Sequence, residues 1–287
     1  MTSADSRRSH LLDVPRLPLS DGWTIPAVGL GTAPKADEEA AEAVMHALQR
    51  GYRLIDTGAI YGNEHGVGRG LAASGVDRSE VSVMTKVRGR DHGYDAARTA
   101  FHASRERLGL AYVDLYLIHW PLPMVDLYVD TWRALIRLRD EGWVRSIGVS
   151  NFRAEDIDRL RDETGVAPAV NQIEMHPGFR QDELRAFHHD LGIRTIAYSP
   201  LGRGSGLLSG SVVREIAEKY AVAPAQVVLR WHLQRETVPI PRASNGVQAR
   251  QNLDLFDFAL TADEVERVGQ AYEQRRVGFD PATREEL

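Results

Sequence analysis

Short apolar runs alternate with longer stretches of helical periodicity along most of the chain. Val28–Thr32, Arg53–Asp56, Val81–Lys86, Val113–His119, Ser146–Ser150, Val170–Ile173, Thr195–Ser199 and Val238–Pro241 read as strands, being short, rich in branched apolar residues and bounded by turn residues. Between them, Glu38–Gln49, Ala96–Leu108, Tyr128–Glu141, Ala154–Asp162 and Asp182–Asp190 carry amphipathic helical patterns. Eight strands separated by helices predict parallel βαβ units. An open doubly wound sheet and a closed barrel both satisfy that order. The even spacing, and the lack of any linker rich in Pro, Gly or Ser, favour an α/β fold of the (β/α)8 TIM-barrel type, with residues 1–287 as one domain. Leu17–Pro26, containing the turn pair Asp21-Gly22, is expected to form a β-hairpin before the first barrel strand, and residues 1–16 a flexible extension.

In a barrel of this kind, functional residues gather at the carboxyl ends of the strands. Those ends here are Thr32, Asp56, Lys86, His119, Ser150-Asn151, Gln172, Tyr198-Ser199 and Arg242, a strongly polar and ionisable set. Chains turn at strand ends, so some polarity is expected there. Asp, Lys and His from three consecutive strands is a more specific pattern.

Composition narrows the chemistry. The chain has 287 residues, 43% of them hydrophobic, with a formal net charge of −5, which gives no reason to expect a nucleic-acid partner. No apolar stretch approaches the length of a signal core or membrane span, so a soluble cytoplasmic protein without a membrane partner is expected. The absence of cysteine excludes disulfides, thiolate metal sites and cysteine nucleophiles. No HExxH spacing occurs, and His188-His189 and the Glu174/His176 pair read as solvated or structural, so no metal is expected. Of the 35 basic residues only Lys35, Lys86 and Lys219 are lysines. A lysine inside an apolar strand therefore asks what arginine could not do there.

Asp56, Tyr61, Lys86 and His119 together suggest one mechanism. Asp56 holds Lys86 charged, Lys86 lowers the pKa of Tyr61, and Tyr61 donates a proton to an oxygen that His119 orients as a neutral imidazole. Donors aimed at a carbonyl becoming an alkoxide suit such chemistry, with a reduced nicotinamide supplying the hydride. Each residue also has a plainer explanation: a turn cap for Asp56, a half-buried aromatic for Tyr61, a snorkelling strand-end lysine for Lys86, a satisfied core histidine for His119. Two other functions share the residues, a Schiff-base aldolase or lyase acting through Lys86, and a cofactor-binding regulatory protein without turnover. Gly66, Gly68 and Gly70 only approximate a dinucleotide fingerprint and read as close helix packing.

The segments GYRLIDTGAIYGNE, VMTKV, YLIHWP, IGVSNF, NQIEMHP and AYSPLGRG resemble those of the aldo-keto reductases, most closely bacterial members such as the 2,5-diketo-gluconic acid reductases. The likeness runs from about Val28 to Phe258. It implies a monomeric barrel that binds NADPH, a small carbonyl substrate, and the four catalytic residues above. It further implies cofactor contacts from Thr32 and Asp56, a carboxamide site at Ser150, Asn151 and Gln172, Tyr198 stacked on the nicotinamide, and Ser199, Leu201, Gly202 and Arg203 beginning a loop over the pyrophosphate. Arg242, Ala243, Ser244, Gln248, Gln251 and Asn252 fall at the adenosine end. There the chain departs from the family: Arg242 replaces Lys, Ala243 replaces Ser, Gln248 stands at the usual Arg and Gln251 at the usual Glu. Losing a cation beside the 2′-phosphate weakens NADPH preference and leaves NADH possible. Ala33, Arg88 and Trp120, with Tyr61 and His119, are expected to line a roomier substrate pocket, and the tail from Tyr272 to Leu287 to fold over it.

Overall fold

The computed structural model describes residues 14–284 and residue 286; the expected N-terminal extension lies, up to residue 13, outside them. β1 (Arg16–Pro18) and β2 (Thr24–Pro26) pair antiparallel as the anticipated hairpin. Eight parallel strands follow, hydrogen-bonded to one another in chain order: β3 (Leu30–Gly31), β4 (Leu54–Asp56), β5 (Ser82–Val87), β6 (Val113–Ile118), β7 (Val144–Ser150), β8 (Val170–Glu174), β9 (Arg194–Tyr198) and β10 (Val238–Ile240). The two edges meet, because the Gly29 and Gly31 amides donate to the Pro239 and Pro241 carbonyls at 3.1 Å each. A Cβ on Gly29 would fall 2.6 Å from Ile240 Cδ1 and 2.8 Å from Leu54 Cγ, so a side chain there would have to displace both. The barrel alternative is the one realised.

The outer ring consists of α1 (Asp37–Gln49), α2 (Glu64–Ala73), α3 (Tyr94–Leu108), α4 (Tyr128–Asp140), α5 (Ala154–Thr164) and α6 (Asp182–Asp190), one after each of β3 to β8. α7 (Ser211–Tyr220) and α8 (Pro224–Gln234) separate β9 from β10, and α9 (Gly246–Gln251) and α10 (Ala262–Gln270) follow β10. Side chains at Gly66 and Gly68 would run into the Asp37 and Leu108 carbonyls at 2.0 and 2.4 Å, so these glycines let α2 press onto α1 and the end of α3.

Strand alternation explains how the barrel both packs and presents polar groups. Leu54, Met84, Leu117 and Ile196 belong to the interior cluster, which Leu19 and Ile25 of the hairpin region join. Burying such side chains contributes about 1.5–3 kcal/mol each. Two residues further along the same face stand Asp56, Lys86, His119 and Tyr198. One period therefore sets both core and site.

Candidate active site

Lys86 is a buried cation held by polar partners on every proton. Its side chain is fully buried, and its ammonium donates to Asp56 Oδ1, to the Thr57 carbonyl at 2.7 Å and to the Tyr61 hydroxyl at 3.3 Å. Those three acceptors account for all three protons. Burial opposes the charge, yet Asp56 and Tyr61 outweigh it and hold the ammonium above its usual pKa. Tyr61 ends a short turn (Ala59–Tyr61) just past β4, which swings the phenol back over Lys86. Burial pushes the Tyr61 phenol up, and Lys86 offsets only part of that. The sequence-based expectation of a net acidified phenol is thereby corrected: Lys86 pulls in the expected direction, but desolvation is larger. In the protein alone, Tyr61 is a protonated donor.

The His119 ring stands edge-on to Tyr61, with centroids 5.8 Å apart. Glu286, from the far end of the chain, brings Oε1 to 2.7 Å from His119 Nδ1, off the axis of a ring N–H bond. Its Oε2 accepts the Gly89 amide at 3.0 Å. The tail is tied down before that point, where the Val277 and Gly278 amides donate to buried Glu174 at 2.6 and 2.7 Å. Phe279 then packs edge-on against Trp120. Among the described residues of the tail, Gly278, Phe279, Arg284 and Glu286 line the pocket, as expected of a cover.

A cavity of about 880 Å³ runs from Tyr61, His119 and Trp120 past Gln172 and Tyr198 to Arg242, Ala243 and Ser244. Along it, Asn151 holds an αL backbone (φ 64°) and donates to the His119 carbonyl and Ser150 Oγ, while accepting the Tyr198 hydroxyl at 2.9 Å. Gln172 Nε2 is buried without a partner, a donor waiting for an acceptor. An amide-bearing aromatic ring fits this place, since Tyr198 offers a face and Gln172 an unused N–H. Ser199, Leu201 and Arg203 also border the cavity, Arg203 Nε reaching Ser199 Oγ at 2.6 Å. Gly202 is buried in the same turn at φ 71°.

Several expected contacts lie behind the cavity wall. The Thr32 and Ser150 hydroxyls are committed to the Asp56 and Gln172 carbonyls. Gln248 accepts the Ser244 amide, and Asn252 donates to the Arg242 carbonyl; both order the loop after β10, with Gln251 at the end of α9. Ala33 lines the cavity as expected, whereas Arg88 does not. It turns onto Asp91 at 2.8 Å, in the turn that begins at Gly89, which corrects its assignment to the pocket. Arg284 and Glu286, from the tail expected to cover the pocket, and Lys35 line the cavity as well, though the strand-end pattern singles out none of them. A strand-end rule cannot find residues supplied by loops and tail.

The chain is similar to known proteins over most of its length. The model of the Aldo/keto reductase family matches residues 26–273. An aldo-keto reductase of Mycolicibacterium smegmatis is 49% identical over 269 residues, covering 94% of this chain and 98% of that one. The 2,5-diketo-D-gluconic acid reductase B of a Corynebacterium species is 48% identical over 275 residues, 96% of this chain and 99% of that one. The solved structure of Gox0644, in a mutant form bound to NADPH, superposes with a TM-score of 0.91 at 44% identity, covering 95% of this chain and 99% of that one.

Proposed function

The chain belongs to the aldo/keto reductase family, and from that premise we propose that it binds NADPH along its cavity and reversibly reduces aldehydes and ketones, with Tyr61 as the proton donor. The single observation that carries this is the Lys86 ammonium, committed to Asp56 and Thr57 with its third proton on the Tyr61 hydroxyl. A bound nicotinamide supplies the hydride. Everything else falls to the chain's own groups. Asp56 keeps Lys86 charged. Lys86 stabilises the phenolate that Tyr61 becomes on giving its proton to the substrate oxygen, and takes up that charge without moving. His119 borders the same end of the cavity and orients the oxygen.

Gln172 and Asn151 hold the carboxamide, Tyr198 the ring face, and Arg203 and Arg242 the phosphate-bearing half. Gln248, which already caps Ser244, leaves the 2′-phosphate with Arg242 as its main cation, so NADPH is preferred and NADH tolerated. The Schiff-base alternative finds no support. A lysine nucleophile must be neutral and reach substrate, whereas Lys86 is fully buried and held as an ammonium.

The test is a fluorescence titration of the purified protein with NADPH and then NADH, followed by cofactor oxidation with small reactive aldehydes. Tryptophan quenching and turnover are expected. A folded protein that binds neither dinucleotide contradicts the proposal.

A further inference from the structure

Arg284 lies at the substrate end of the cavity and is not used by the chemistry above. Asp280 organises the turn that presents it, accepting the Arg284 amide on its carbonyl at 2.9 Å and the Ala282 amide on its carboxylate at 3.0 Å. The guanidinium carbon sits over the Phe279 ring, 3.8 Å from its centroid, and 6.0 Å from that of Trp120. Its Nε is buried without a hydrogen-bond partner, and among the described residues Arg284 forms no ion pair. The carboxylate two residues away, Glu286, already faces Gly89 and His119. An arginine held in place by aromatic rings, with its buried Nε unanswered in a cavity that Tyr61 and His119 also line, is a preorganised anion receptor.

We propose that Arg284 determines specificity by gripping a carboxylate on the substrate while Tyr61 and His119 face its carbonyl oxygen. This rests on the reductase function proposed above. The planar fork matches a carboxylate through two parallel N–H···O bonds. A monoanion suits the site better than a dianion, because Asp56 and Glu286 both border the same cavity and only Asp56 is paired with a lysine. The other cavity arginines sit elsewhere: Arg203 on Ser199, Arg242 toward the Ala33 carbonyl.

The test uses the full chain with NADPH and the isomers of carboxybenzaldehyde, each against its own methyl ester. For at least one isomer, kcat/KM of the acid should exceed that of the ester by about ten- to a hundred-fold, the range of a charge-assisted pair. Arg284→Met should bring that acid-to-ester ratio close to one. Arg284→Lys should retain part of it, keeping the charge but not the fork. A ratio taken within one variant cancels any loss of folded protein. No acid preference in the wild-type protein, or a preference that survives Arg284→Met, overturns the proposal while esters are still reduced. If no aldehyde of either kind is reduced, the reductase function falls and this proposal with it.

Discussion

Glu286 Oε1 lies 2.7 Å from His119 Nδ1, so the extreme end of the chain touches the imidazole that borders the reacting end of the cavity. Its other oxygen holds the Gly89 amide, and a side chain at Gly89 would collide with the Glu286 carbonyl at 1.9 Å. The tail thus forms part of the wall of the site. Glu286→Ala removes the acceptor of a buried amide and frees the tail beside His119. Expected is a loss of about five- to thirty-fold in kcat/KM for a carbonyl substrate, the cost of one orphaned buried group. NADPH affinity, read by tryptophan fluorescence, should change far less. Equal losses in both would mean the tail supports the whole cavity instead of its substrate end.

Lys86 and Asp56 form a buried pair, and removing one partner leaves the other uncompensated. Lys86→Met is expected to cost about 3–5 kcal/mol in urea unfolding, with the double variant Lys86→Met/Asp56→Asn recovering part of it. The pH dependence has a definite sign. The folded pKa of Lys86 is raised above its unfolded value, so its contribution is complete below about pH 10.5 and is lost as pH rises through the folded value. The Tyr61 phenol is raised as well, so it keeps its proton through neutral pH, and the reduction rate should decline only above the ordinary phenol range. Melting temperatures and initial rates across alkaline pH check both. A rate that falls between pH 7 and 9 would point to a different acid.

Where the proposed function puts the adenosine, Gln248 occupies an exposed position on α9 and spends its side-chain oxygen on the Ser244 amide. Gln248→Arg places a second guanidinium near Arg242. NADPH affinity is expected to rise by about three- to ten-fold while NADH affinity stays close to its original value, since only the former carries the 2′-phosphate. Paired fluorescence titrations measure the ratio. An equal change for both cofactors would show that the phosphate lies elsewhere.

Much of the fold was legible because one physical rule, two-residue alternation on the strands, produces both the apolar interior and the polar ends. Leu54 then Asp56, Met84 then Lys86, and Leu117 then His119 are visible as such in the sequence. Tyr61 was legible for a different reason, a small-residue turn placed directly after β4. What could not be read is what tertiary packing decides. β7 starts at Val144, ahead of the expected Ser146, because Val144 pairs with Val113. α7, α8 and α10 were missing from the sequence-based elements, though their cluster with Ile173, Met175 and Ala197 covers one flank of the barrel. Arg88 looked like a pocket residue from its place after Lys86, but a local ion pair with Asp91 turned it aside. Glu286 and Arg284 carry no local signal, since nothing nearby in sequence tells a terminal acid or arginine that it will meet His119 or Phe279. The net pKa of Tyr61 needed the depth of its burial, which overrides the lysine beside it.

The central claim is that the Tyr61 hydroxyl supplies the proton in carbonyl reduction, and Tyr61→Phe tests it by removing one oxygen. The variant should bind NADPH as the wild-type protein does, while its kcat for aldehyde reduction falls by about a hundred- to ten-thousand-fold, the usual contribution of a positioned general acid. A variant that binds NADPH and still reduces the aldehyde within about ten-fold of the wild-type rate would contradict it.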